Sequence, residues 1–344
     1  MLIFLILVAA VWFAGRRLGW PVRARLIALA LLYVLVLAVL VANPAMSGPL
    51  GGTAGEWLVL GGLLGIALAY REGLRRLRLR VRPENRPVPA PRQGGFAPGE
   101  IDRYARHVVL REIGGTGQRR LKEARVLVVG AGGLGSPAML YLAAAGVGRI
   151  GVIDHDRVDV GNLQRQVAHT DARIGMAKVF SAETAMRAIN PYLDVRPYHR
   201  RLDAAIAGDL LAEYDLVLDG CDDLDTRYVL NAAAIAAGVP LISGALSQWE
   251  GQVTTYAPAD GTPCYACIFP EKPAPGLAPS CAEAGVLGPL PGIVGSLMAA
   301  EAVKEITGAG QGLRGRMAIH DALWGEHRTI ALKRRADCPV CGAR

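Results

Sequence analysis

The run Arg125-Val-Leu-Val-Val129, followed at once by Gly130-Ala-Gly-Gly-Leu-Gly135-Ser136 and the helical stretch Pro137–Ala145, constrains this chain more than any other feature. Four consecutive apolar residues read as a strand buried on both faces. Gly130, Gly132 and Gly135 then satisfy the dinucleotide fingerprint. They allow a tight turn, let backbone approach a phosphate and leave the anion at a helix N-terminus. A second strand, Ile150–Ile153, ends at Asp154, 19 residues beyond Gly135 and at the spacing of a ribose-binding acid. Further strands are expected at Leu216–Leu218, Leu241–Ser243 and Gln252–Tyr256, with helices at Lys178–Ile189, Thr226–Ala237 and Ile293–Ile306. The fold class that follows is α/β, a Rossmann-like doubly wound sheet, largely parallel and covered by helices. The glycines alone leave the nucleotide open: NAD, FAD and ATP all fit.

Charge beyond the fingerprint narrows the choice. Gly161-Asn162-Leu-Gln-Arg165-Gln166 and Lys178 place an amide and two cations just past the ribose acid. Hydride transfer needs no such cations, whereas cleaving a triphosphate does, because charge builds on its bridging and leaving oxygens. Asp219-Gly-Cys-Asp222-Asp223 follows an apolar strand, so its acids emerge where open α/β sheets bind ligands. Asp222 is placed to hold Mg2+, a hard ion that takes one or two carboxylates with phosphate oxygens. Asp225 is the expected cap of the helix that follows. His155 and His169, near the nucleotide loop, read as packed or solvent-facing residues.

Four of the six cysteines fall in two pairs, Cys264-x-x-Cys267 and Cys338-x-x-Cys341. Four thiolates make a closed tetrahedral Zn2+ site, structural because no position is left for substrate. Such a site staples the C-terminal segment to the domain. A redox role for either CxxC is the competing reading.

The first third has another character. Residues 1–92 carry twelve Arg and no Lys against three Glu, while the remainder holds 26 basic and 27 acidic side chains. The excess charge is therefore a collar beside apolar runs, not a nucleic-acid-binding face. Those runs are Leu2–Ala14, Leu26–Ala42 and Leu50–Tyr70, and the arginines lie between the first and second and after the third. Under the positive-inside rule this predicts up to three membrane helices, an outside N-terminus and a cytoplasmic remainder. The expected organisation is a transmembrane anchor over 1–72, a basic Pro-rich linker over 73–100 and a catalytic domain over 101–344. The expected location is the inner (cytoplasmic) membrane, with the catalytic domain facing the cytoplasm.

From about Arg103 onward the motifs resemble one family in order. They are Arg103-Tyr-Ala-Arg106, the Gly130–Gly135 loop, Asp154, Asn162-Leu-Gln-Arg165-Gln, Lys178, Asp222, Cys281-Ala-Glu-Ala-Gly285 and both CxxC pairs. The chain resembles the MoeB/ThiF/HesA adenylyltransferases, relatives of ubiquitin-activating enzymes, and most of all the molybdopterin-synthase adenylyltransferases. The resemblance implies nucleotide contacts from Gly133 and Asp154, phosphate contacts from Asn162, Arg165 and Lys178, and Mg2+ on Asp222. It implies a homodimer in which Arg106 enters the partner's site. It leaves open whether Cys281 forms a covalent link with the substrate. The implied partner is a small ubiquitin-like sulfur-carrier protein ending in Gly-Gly, adenylated on its terminal carboxylate at the expense of ATP. The thiamine-pathway carrier, or a membrane-bound NAD/FAD oxidoreductase, is the alternative. Gly161 and Asp223 depart from the family pattern without removing a needed charge. No rhodanese-like segment follows the second CxxC, so the expectation is a chain that activates the carrier and does not supply sulfur.

Overall fold

The computed structural model describes residues 2–80, 95–272 and 284–342. The chain divides into two compact units, Met1–Pro87 and Val88–Arg344.

The first unit is helical. Leu2–Arg17, Val22–Ala42 and Ala54–Arg80 are its long helices, with a short bent segment, Pro44–Leu50, before the third. Its small core gathers Val36, Leu40, Leu50 and Trp57, with Phe4 edge-on to Trp57 at 4.6 Å. Most other apolar side chains here are exposed, Leu31, Leu63 and Ile66 among them. Of the three expected spans, only the 21-residue Val22–Ala42 helix is long and apolar enough by itself among the described residues. Leu2–Arg17 has 16 residues, about 24 Å of helix against a hydrocarbon core of about 30 Å. The third run is broken: Pro44–Leu50 and Ala54–Gly73 meet at 61° and pass the test only together. Gly51, left-handed at φ +77°, closes the first piece and starts the bend. The Ala54–Arg80 helix continues beyond residue 72, into the segment expected as linker, and most of the Pro-rich stretch lies outside the described residues.

The second unit is built on one eight-stranded sheet. Its strands are β1 (Arg125–Val129), β2 (Arg149–Ile153), β3 (Asp194–Tyr198), β4 (Leu216–Asp219), β5 (Leu241–Leu246), β6 (Glu250–Tyr256), β7 (Arg316–Asp321) and β8 (Glu326–Ala331), in the order β3-β2-β1-β4-β5-β6-β7-β8. The first five are parallel and the last three antiparallel. Successive residues of β1 enter opposite cores. Val126 and Val128 pack with Leu142 and Met298 from the Gly135–Ala145 and Pro289–Thr307 helices. Leu127 and Val129 pack with Leu211 and Leu230 from the Ala204–Leu211 and Leu224–Ala237 helices. A strand covered on both faces must be apolar throughout, which is why Val-Leu-Val-Val could be read without its neighbours.

The edge strands carry no such apolar run. β3 carries Pro197, which cannot donate to a ladder and belongs on an edge, and β8 is exposed at all six positions. Chain order reverses at β1, with β2 on one side and β4 on the other. The crevice beyond the carboxyl ends of these strands is where doubly wound sheets hold ligands.

Candidate active site

A cavity of about 830 Å³ opens at that crevice, lined on one wall by Gly130, Gly132, Gly133 and Asp154 and on the other by Gly220–Thr226. The two walls touch through backbone. Gly130 adopts φ +93°, and a Cβ there would sit 2.8 Å from the Gly220 carbonyl oxygen. A Cβ on Gly135 would sit 1.9 Å from the Gly130 carbonyl oxygen, so the turn closes only around hydrogen. The Gly135–Ala145 helix starts at this turn, and the positive end of its dipole is set toward an anion.

Asp154 ties the glycine loop to the end of β2. Its carboxylate accepts the backbone N–H of Ala131 and of Asp156, each at 2.7 Å. Each oxygen keeps a further lone pair with which to accept a ribose hydroxyl. Behind the loop, His169 is buried between Ser181 Oγ (2.9 Å) and the Ala131 carbonyl (2.8 Å). A carbonyl only accepts, so Nε2 carries the proton and donates to it, which leaves Nδ1 of the neutral ring to accept from Ser181. Burial, only partly offset by the Ala131 carbonyl, lowers the His169 pKa. Nothing in sequence beyond its nearness to the loop marks this role.

The cations occupy the near wall. Lys178 is 4% exposed and donates to Asp156 at 2.8 Å. Partial burial pushes the Asp156 carboxyl up, but the Lys178 ammonium outweighs it and holds the acid below its usual range. Arg165 reaches the cavity while donating to the Asn162 side chain at 3.1 Å and the Gly161 carbonyl at 3.3 Å. Asn162 itself is not on the cavity wall, so within one chain it orients Arg165. Arg106 is exposed and also off the wall. Cys281 lies outside the described residues.

On the far wall Asp222 is exposed, lines the cavity and makes no hydrogen bond or ion pair with a described residue. A free carboxylate facing a phosphate cradle is the donor that Mg2+ needs beside phosphate oxygens. The helix cap is Asp223, not the expected Asp225. Asp223 accepts the Thr226 backbone N–H at 2.9 Å and pairs with Arg201 at 3.2 Å, because capping geometry requires the residue just before the first helical turn. Beneath the turn lies a feature the motifs did not announce. Asp219, at the end of β4, pairs with the buried Arg227 at 3.1 Å. Burial works against the Arg227 charge, and the Asp219 carboxylate together with Cys221, Tyr265 and Tyr256 more than restores it. Cys221 donates its thiol to Asp219, and burial pushes that thiol well up, so it is a packed residue and not a nucleophile.

The four CxxC sulfurs converge although 74 residues separate each cross-pair. Sγ–Sγ distances are 3.8 Å for Cys264–Cys267, 3.7 Å for Cys264–Cys338 and 3.5 Å for Cys267–Cys341, and all four residues are buried. A tetrahedron with Zn–S arms of 2.3 Å has edges of about 3.8 Å, so the thiols fit Zn2+.

A family model described as the ThiF family matches residues 104–340. The chain belongs to the ThiF family. Over 247 residues it is 49% identical to the sulfur carrier protein adenylyltransferase of Thermus thermophilus, spanning 71% of this chain and 91% of that protein. It is 47% identical over 243 residues to the SAMP-activating enzyme E1 of Haloferax volcanii, spanning 71% and 89%. Among solved structures, Escherichia coli MccB with MccA-N7isoASN superposes with a TM-score of 0.63 at 22% identity, over 71% of this chain and 75% of that one. That likeness concerns the fold. As a ThiF-family chain the second unit is an adenylyltransferase, and the nucleotide left open by its glycines is ATP.

Proposed function

We propose that this ThiF-family enzyme adenylates the C-terminal glycine carboxylate of a small ubiquitin-like sulfur-carrier protein of the molybdopterin-synthase type. The observation that carries this reading is 49% identity, across 91% of its length, to an enzyme named for sulfur-carrier adenylation, together with a cavity lined by a phosphate loop, Arg165, Lys178 and Asp222. A terminal carboxylate is ionised at neutral pH, so no general base is required. One of its oxygens forms a bond to the α-phosphorus of ATP, the bond from that phosphorus to the β-bridging oxygen breaks, and pyrophosphate leaves with the electron pair. Catalysis is then alignment and charge neutralisation.

The glycine loop and helix N-terminus hold phosphate oxygens, and Asp154 fixes the ribose. Arg165 and Lys178 offset the charge that gathers on the departing pyrophosphate. Asp222 would hold Mg2+, which when bound supplies further neutralisation of the phosphates. Cys264, Cys267, Cys338 and Cys341 would hold Zn2+, whose contribution is structural. Arg106, idle in one chain, completes the site from the second copy of a homodimer. Exposed Val160, Val167 and Phe180 provide apolar surface for such an interface. The first unit tethers the enzyme to the inner membrane, with the catalytic unit on the cytoplasmic side. Its exposed apolar helices and the arginines that follow favour that placement.

The test is ATP–pyrophosphate exchange by the full-length chain in detergent, with carriers of the molybdopterin and thiamine types ending in Gly-Gly. Exchange stimulated by the first carrier supports the proposal. Exchange with the thiamine carrier alone reassigns the substrate, and none with either rejects the reading.

A further inference from the structure

Asp222 acts from a turn that is held with unusual care. Arg227, 6% exposed, donates to the carbonyls of Cys221 and Gly244 and to Ser243 Oγ at 3.2 Å, and faces Asp219 at 3.1 Å. Asp219, 1% exposed, accepts the Ser243 hydroxyl at 2.8 Å and the Cys221 N–H at 3.2 Å. One guanidinium thus joins the end of β4, the turn and the middle of β5. On the other side of Asp222, Asp223 is fixed by Thr226 and Arg201. Burying an ion pair costs several kcal/mol in desolvation and is poor value as stabilisation alone. The helix already has its cap in Asp223, so the pair is not needed to start it.

The turn also abuts the phosphate loop: a Cβ on Gly220 would lie 3.1 Å from the Gly135 nitrogen. Asp222 has no side-chain partner among the described residues, so what positions it there is its backbone, and that backbone is held by Arg227. We infer that Arg227 is a positioning residue for adenylation, which holds the Gly220–Asp222 turn, and so the Asp222 carboxylate, in register with the Gly130–Gly135 loop. The inference rests on the proposed adenylation and concerns how its metal-facing acid is aimed. Lysine at this position would keep the charge opposite Asp219 but could not span three acceptors with a planar fork.

The experiment compares full-length wild type, Arg227→Lys, Asp222→Ala and the double variant. It reads the Mg2+ concentration for half-maximal ATP binding, the exchange kcat and KM, and the Tm. Arg227→Lys is expected to raise the Mg2+ requirement about tenfold, the scale of a lost charge-assisted bond, while KM for ATP at saturating Mg2+ stays within about twofold. In the Asp222→Ala background it should add no further loss, because both changes act through one carboxylate. A lowered Tm with unchanged Mg2+ requirement, or the same loss in both backgrounds, makes Arg227 merely structural and overturns the inference. If Arg227→Lys does not fold, Ser243→Ala, which leaves the ion pair intact, carries the test: a rise of about threefold in the Mg2+ requirement supports it, and no rise refutes it. ATP binding is read without a carrier, so failure of carrier-dependent exchange would reject the substrate assignment and leave the test of Arg227 standing.

Discussion

Replacing Cys338 and Cys341 by serine opens the thiol cluster and releases the segment after β8. The paired positions Cys264 and Cys338 are 74 residues apart, so a metal there closes a loop of that length in the unfolded chain. The chain-entropy relation for such a cross-link gives about 4.5 kcal/mol at 25 °C. For a unit of this size each kcal/mol moves Tm by about 2–4 °C, so the double variant should melt about 9–18 °C below wild type. A thiol ligates as its thiolate, so binding Zn2+ expels protons and weakens as pH falls. The assay is elemental analysis of purified full-length protein, then thermal melts with and without a strong chelator. About one Zn2+ per chain is expected, with the chelated wild type melting near the serine variant. Metal-free protein with an unshifted Tm in chelator would refute the reasoning, as would thiol titration showing the pairs oxidised.

Other consequences follow from the nucleotide loop and the interface. Gly135→Ala puts a methyl into the Gly130 carbonyl, backbone against backbone, and should cost about 3 kcal/mol or more and abolish ATP-dependent stabilisation in thermal melts. His169 is lowered in the folded state from its ordinary value near 6.5, so between the two values the unfolded chain binds more protons and stability rises with pH. Its contribution is therefore complete above about pH 6.5 and lost on acidification, and Tm should fall more steeply toward pH 5.5 in wild type than in His169→Gln. If Arg106 serves the partner's site, Arg106→Ala and Arg165→Ala are each inactive alone. Mixed as exchanging dimers they should recover about a quarter of wild-type exchange, since half the dimers are mixed and each has one intact site. No recovery, with subunit exchange demonstrated, would place Arg106 outside the reaction.

Sequence alone determined the parts of this protein whose signals are local. Val126–Val129, the glycine loop and Asp154 could be read because a doubly covered strand is apolar at every position and a tight phosphate turn tolerates only hydrogen. The CxxC pairs announced a four-thiol site because ligand spacing within each pair is itself local. The apolar runs and arginine collar marked the first unit, but which helices are long enough depended on a bend after Leu50. Tertiary structure decided the rest. β3 and β8 carry edge residues with no periodic pattern, and their place in the sheet comes from neighbours distant in sequence. Asp223 took the cap from Asp225 because the turn ends two residues sooner than the charge pattern suggests. His169 and Arg227 became supports because folding brought the Ala131 and Gly244 carbonyls to them, and a buried hydrogen bond of this kind leaves no mark on composition or spacing. Local sequence can specify a turn, a ligand pair or a buried strand. Which polar groups meet beneath them depends on how the layers close.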